Sequence, residues 1–181
     1  MVYVLLAPGF EEAEALVPVD LLRRANVETA TVSLTGEPVP GSHGITVTAD
    51  LAMDQVDLDR AEMVVLPGGG PGYKNLGADP RVEQLVREAV KRDIWVAAIC
   101  AAPTLLGKWG LLEGKRALCY PGMEEGLVGA RAWRDRAVNV VTDGKIITGR
   151  AAGTAFEFGL SLIEALADEE KAGDIRDSVC Y

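Results

Sequence analysis

The strongest constraint on this chain is its rhythm: short apolar runs of β type alternate with longer stretches of helical periodicity along nearly the whole length. Such alternation builds parallel strands joined by helices that cover both faces of one sheet. Val2–Ala7 reads as the first strand. Glu11 to Asn26 reads as a helix, because Leu16, Val19 and Leu22, with Leu21, recur at spacings of three and four. Pro18 removes a backbone donor inside it and predicts a bend or irregular first turns. Val27–Leu34 and Ile45–Ala49 are further strand candidates around Thr35–Gly44, a glycine- and proline-rich loop. Met63–Leu66 is a short buried strand that runs into Pro67-Gly68-Gly69-Gly70-Pro71-Gly72, and a helix covers Arg81–Lys91. Ile94–Ile99 is the most apolar strand and belongs in the middle of the sheet. Ala101–Leu112 reads as a helix and Lys115–Cys119 as a strand. Ala137–Val141 and Lys145–Thr148 form a hairpin around Asp143-Gly144. The last long helix, Thr154–Ala167, is expected to bury Phe156, Leu160, Ile163 and Leu166, and the chain after Asp168 to be a terminal turn or partly mobile helix.

A length of 181 residues fits a single domain, 1–181, with one large core. No apolar run approaches the roughly 20 residues that span a bilayer. The chain opens on a strand with no basic region or cleavage site before it, so a cytoplasmic location is expected. A formal net charge of -9 argues against nucleic acid or anionic lipid as a partner. Cys100, Cys119 and Cys180 are too few and too widely spaced for a disulfide framework and show no CxxC spacing that would suggest a zinc site. His43 is the only histidine, which limits the catalytic machines available.

Cys100 sits where the most apolar strand ends and a helix begins, between residues small enough for a sharp turn. That is the arrangement of a nucleophile elbow, with the side chain at the carboxyl edge of the sheet, where ligands bind. A helix start favours thiolate, so Cys100 is expected to be partly ionised at neutral pH, while Cys119 packs at a strand end and Cys180 behaves as an ordinary exposed thiol. The competing reading makes Cys100 a small buried hydrophobe. Two further features sit at the same edge. After the first strand comes Pro8-Gly9-Phe10-Glu11-Glu12-Ala13-Glu14, whose acids could simply complement a helix start, or whose Glu14 could point back at the thiol with a raised pKa. After Met63–Leu66 the amides of Gly68, Gly69 and Gly70, with that of Ala101, could stabilise a substrate oxyanion. An ordinary glycine loop is the alternative; a phosphate cradle is weaker, since GxxxxGK[ST] is absent.

Gly9-Phe10-Glu11-Glu12-Ala13-Glu14 with Pro18-Val19-Asp20, Leu66-Pro67-Gly68-Gly69, Ala97-Ala98-Ile99-Cys100-Ala101-Ala102-Pro103 and Gly153-Thr154-Ala155-Phe156-Glu157-Phe158 occur in this order. Through these segments the chain resembles the DJ-1/ThiJ/PfpI superfamily, and within it the DJ-1/YajL-like branch. The resemblance implies an α/β flavodoxin-like, doubly wound sandwich with a mostly parallel sheet, a homodimer, Cys100 as nucleophile, Glu14 as the acid beside it, and Gly69 with Ala101 as amides facing a substrate oxygen. Arg24 and His43 fall near the positions of basic residues at the family's interface and site mouth. Tyr120 stands where several members carry a histidine, and Ala101 follows the nucleophile where the protease-like branch has one, so peptidase and glutamine amidotransferase activities are disfavoured. The implied activity is of glyoxalase or deglycase type on a small aldehyde or glycated substrate, without a cofactor. A redox sensor or protective chaperone working through Cys100 sulfinic acid is the alternative, and a noncatalytic binding domain follows.

Overall fold

The computed structural model describes residues 1–181. Its central sheet contains β1 (Val2–Leu6), β2 (Thr29–Ser33), β5 (Leu51–Ala52), β6 (Met63–Leu66), β7 (Trp95–Ile99), β10 (Val140–Asp143) and β11 (Ile146–Gly149), in the order β10-β11-β7-β6-β1-β2-β5. All neighbours pair in parallel except β10, which closes back on β11 across the Gly144-Lys145 turn, one residue beyond the expected Asp143-Gly144. The core order β2-β1-β6-β7-β11 is flavodoxin-like, and its direction of winding reverses between β1 and β6. Two two-stranded ribbons lie outside this sheet: β3 (Val39–Pro40) with β4 (Thr46–Val47), and β8 (Arg116–Ala117) with β9 (Arg131–Ala132).

Both sheet faces are buried, which is why the strands read as continuous apolar runs. On one face Tyr3, Leu5, Val64, Val96 and Ile146 pack under α2 (Gly70–Ala78), α3 (Pro80–Lys91) and α4 (Pro103–Lys108). On the other, Val2, Val4, Met63 and Ile147 pack under α1 (Glu12–Arg24), α5 (Ala155–Leu166) and α6 (Glu169–Ser178). The period-two alternation of each strand thus feeds two separate cores. α1 crosses α5 closely at Gly159, where an added Cβ would lie 2.7 Å from Leu21 Cδ1 and 3.2 Å from Pro18 Cα. No helix is long and apolar enough to cross a membrane.

Several sequence expectations are corrected. α1 continues through Pro18 as one element, the proline leaving only the Glu14 carbonyl without its helical donor. Ile45–Ala49 and Lys115–Cys119 shrink to two-residue strands of the outer ribbons. The glycine run does not end as a loop: Gly70 starts α2, which apolar periodicity could not reveal because only Leu76 and Gly72 of its nine residues are buried. In α5 the buried aromatic is Phe158, while Phe156 is exposed and stacks on Tyr181 with ring centroids 5.3 Å apart. The segment after Asp168 is the regular helix α6, capped by the Asp168 carboxylate accepting from the Lys171 amide at 2.8 Å.

Candidate active site

β1, β6 and β7 all end at the same edge, beside the reversal of winding, and each delivers one part of a cluster. β7 runs straight into Cys100, whose φ of 65° is a left-handed conformation that a side chain with a Cβ seldom adopts. Hydrogen bonds hold this strained residue on both sides: its amide donates to the Gly149 carbonyl at 3.0 Å, and its carbonyl accepts from the Tyr120 amide at 2.7 Å. Backbone strain kept in place by its surroundings is a recurring mark of functional sites.

β1 leads through Gly9 into α1, whose third residue is Glu14, 1% exposed. Its carboxyl accepts from the Gly68 amide at 3.0 Å, and the Cys100 thiol and the Ala152 amide lie close enough to influence its ionisation. β6 supplies the glycine turn between them. A Cβ on Gly68 would fall 2.5 Å from Glu14 Oε2 and 2.6 Å from Cys100 Cβ, so only glycine lets the acid meet the thiol. Gly69, at φ 94°, presses on Gly9 and Phe10, and its amide together with that of Ala101 faces the Cys100 sulfur. The four proposed amides therefore divide: Gly69 and Ala101 serve the sulfur, Gly68 is occupied by Glu14, and Gly70 lines the cavity as the first residue of α2.

The electrostatics correct the expected free thiolate. Burial raises Glu14 to about 7, with the charge of Glu11 adding to it and the Cys100 thiol and the Gly68 and Ala152 amides opposing. Burial and the Glu14 charge push the Cys100 thiol up to about 12, against the pull of the Gly69 and Ala101 amides. Thiolate and carboxylate cannot both be charged at this separation, so the pair loses one proton near neutrality and keeps the second. Above that first step it carries one negative charge and one proton, with two backbone amides attending each group. The helix contributes less than the sequence suggested, because α4 begins only at Pro103.

The pair opens into a cavity of about 690 Å³, whose walls include Glu11, Tyr120, Met123 and, from α2, Tyr73, Lys74 and Asn75. The α2 residues went unseen in the sequence because α2 itself did. Tyr120, 47% exposed, does stand in this cavity. His43 does not: it is exposed on the loop between β3 and β4, where Nδ1 lies 3.0 Å from Glu12 Oε2 and 3.5 Å from Glu11 Oε1. Its link to the cavity is indirect, through Glu11. These three side chains gather potential ligand atoms within 4.8 Å, but Glu12 already accepts from Ser42, His43 and Ile45. Arg24 lies at the far end of α1 in an ion pair with Asp20, which removes it from the site mouth. Cys119 is 1% exposed and is pushed up to about 12 by burial, reinforced by Glu124, while Cys180 is exposed.

With this geometry in view, the comparisons are decisive about kinship. The model of the DJ-1/PfpI family matches residues 1–165. The chain belongs to the DJ-1/PfpI family. It is 40% identical to protein dj-1beta of Drosophila melanogaster over 95% of this chain and 92% of that protein. It is 31% identical to the glutathione-independent glyoxalase DJR-1.2 of Caenorhabditis elegans over 98% of this chain and 94% of that protein. Among solved structures, oxidized DJ-1 of Toxoplasma gondii superposes with a TM-score of 0.93 at 32% identity, covering 99% of this chain and 97% of that one.

Proposed function

We propose that this chain is a cofactor-independent, glyoxalase-type enzyme acting on 2-oxoaldehydes or the early glycated adducts they form, with Cys100 as nucleophile and Glu14 as proton carrier. The observation that carries the reading is a strained elbow thiol packed across Gly68 from a buried carboxyl that is raised to about 7. A relative named as a glutathione-independent glyoxalase supports it. Glu14 takes the thiol proton as sulfur adds to the aldehyde carbon, and the carbonyl electron pair moves onto an oxygen held by the Gly69 and Ala101 amides. Glu14 returns that proton to the oxygen, giving a hemithioacetal. It next removes the hydrogen of the former aldehyde carbon to give an enediol, the neighbouring carbonyl oxygen taking a proton. It then delivers the hydrogen to that neighbouring carbon as the first carbon's hydroxyl gives up its own proton, so the first carbon is oxidised to a thioester as the second is reduced. Water cleaves the thioester, releasing a 2-hydroxy acid and restoring the thiol. No external oxidant or reductant enters. The test is conversion of methylglyoxal to lactate by purified protein: wild type turns over, Cys100→Ser falls to background, and turnover surviving in the serine variant sinks the reading. We further propose that the chain acts as a homodimer, with a dimeric mass by light scattering as the check.

A second reading is favoured by the same raised carboxyl. Two equivalents of peroxide take the Cys100 thiol through sulfenic to sulfinic acid with release of water, and a protonated Glu14 donates to the product. Mass spectrometry after mild peroxide, scored on Cys100 against Cys180, separates this from simple thiol exposure.

A further inference from the structure

The cavity at Cys100 is much larger than a three-carbon oxoaldehyde requires, falling in the range of sites for ligands of drug size. A neighbouring cavity adjoins it across α2. This second cavity, of about 320 Å³, shares Tyr73 and Lys74 with the first and adds Thr104, Leu105 and Lys108, but touches none of Glu11, Glu14 or Cys100. Its floor is firm, since α2 meets α4 so closely that a Cβ on Gly77 would strike Leu105 Cδ2 at 2.6 Å.

The charge along this groove is asymmetric. The Cys100 end holds the acids Glu11 and Glu14, Lys74 stands where the two cavities adjoin and Lys108 lines the far one, in a chain whose net charge is -9. Several cations elsewhere are matched: Lys91 pairs with Glu88, Lys145 lies over the Trp95 ring, and Arg81, Arg87 and Arg92 are each bonded to carboxylates, while Arg131, Arg136, Lys171 and Arg176 have no such partner. Lys74 and Lys108 have no carboxylate partner. Two unpaired ammonium groups toward one end of a substrate groove in an otherwise acidic protein attract an anion there, while the acids at the other end repel one from the reacting atoms.

We propose that the groove selects oxoaldehydes carrying an anionic tail, a carboxylate or phosphate set beyond an apolar spacer, with the carbonyl at Cys100, the spacer along Tyr73 and the tail between Lys74 and Lys108. This rests on the reading of Cys100 and Glu14 above and deepens it. Methylglyoxal is then a minimal substrate that leaves the far end of the groove empty.

The experiment compares phenylglyoxal with para-carboxyphenylglyoxal, which share a reacting group and differ by one tail charge. The carboxylate compound is expected to show kcat/KM about threefold or more above the neutral one at low salt, as two partly exposed ion pairs allow. The preference shrinks as ionic strength rises, and Lys74→Met with Lys108→Met lowers the ratio toward one, while Lys91→Met on α3 leaves it unchanged. Inorganic phosphate competing better than acetate marks the tail as phosphate, and the reverse marks it as carboxylate. Equal kcat/KM for both compounds, or a preference that survives the double lysine variant, overturns the proposal. Labelling of Cys100 by N-(para-carboxyphenyl)maleimide against N-phenylmaleimide reads the same groove without turnover. A lysine-dependent labelling preference in a protein that turns over neither oxoaldehyde keeps the anion groove and removes the glyoxalase chemistry; no labelling preference removes the groove.

Discussion

Glu12 and Glu14 lie two residues apart on the first turn of α1, both nearly inaccessible to solvent, and their carboxyls are driven in opposite directions, to about 2 and about 7. Burial opposes ionisation of both. At Glu12 it is outweighed by donors: its own amide, the His43 ring and the amides of His43 and Ile45. At Glu14 the donors are fewer, and the thiol beside it cannot lose its proton while the carboxylate stays charged. One acid therefore pins a loop as a carboxylate, and the other exchanges its proton near neutrality. Sequence position on a helix does not decide a carboxyl's role; what the neighbouring strand ends bring to it does.

The sharpest way to break this contrast is Gly68→Ala. Its Cβ would sit between Glu14 and Cys100, and displacing reacting groups by about an ångström costs on the order of a hundredfold in rate. The measurement is kcat/KM for methylglyoxal alongside a melting curve. A folded variant with full activity would show that the acid need not touch the thiol.

Glu14→Gln follows in size, with turnover expected to drop about a hundredfold while Cys100 still accepts thiol reagents, because the amide cannot carry a proton between carbons. Glu14→Asp keeps the acid and shortens its reach, so it should retain more activity than Gln. In the wild type, thiol modification is expected to climb as pH rises through about 7, where Glu14 becomes a base. Stability moves the other way. An acid whose folded pKa lies above its unfolded value of 4.5 holds its proton longer when folded, so stability falls from pH 4.5 to about 7, and Glu14→Gln should flatten that fall.

Much of this site was legible before any coordinates. Cys100, Glu14, Gly69 and Ala101 fall at strand ends that apolar runs announce, and the parallel order of the sheet sends those ends to one edge. What could not be read is what depends on three-dimensional partners. The division of amides between Glu14 and the sulfur needs the register of β1 against β6. The ionisation of Cys100 needs the burial that only the closed cavity supplies, and reading the elbow as a plain helix start gave the wrong direction. α2, with its short apolar content and three glycines, has no periodicity to detect, so Tyr73 and Lys74 were invisible with it. The family resemblance put His43 near the positions of basic residues at the interface and site mouth; the ribbon of β3 and β4 holds it on Glu12 instead.

Glu12→Gln tests the structural half of the comparison. Removing the charge that four nearby donors satisfy should destabilise the fold by about 2 kcal/mol at pH 7, the scale of hydrogen bonds to a charged group. The loss should vanish toward acid, because a carboxyl lowered in the folded state contributes stability present above 4.5 and lost as pH falls toward about 2. Chemical denaturation at pH 7 and pH 3 reads both. A variant that lost turnover without losing stability would instead move Glu12 into the chemistry.

The smallest expected effect, and the finest test, is at His43. Its ring is two-thirds exposed, so solvent screens its pairing with Glu12, yet the hydrogen bond to that carboxylate and the charges of Glu11 and Glu12 raise its pKa above 6.5. A raised histidine contributes stability that is fully present below 6.5 and lost as pH climbs through the higher folded value. That window opens at 6.5 and so overlaps the top of the range, 4.5 to about 7, in which Glu14 titrates, and the two are separated by working in Glu14→Gln protein. In that background the residual fall of melting temperature above pH 6.5 should disappear with His43→Asn, and the drop at lower pH should be smaller than that of Glu12→Gln, since the Ser42 hydroxyl and the His43 and Ile45 amides still hold the carboxylate. In the single His43→Asn variant turnover should hold near the wild-type level, because His43 reaches the cavity only through Glu11. If His43→Asn instead lowered kcat while leaving the melting temperature alone, the loop acid and the proton carrier would be one coupled system, and the division between the two halves of this helix turn would fail.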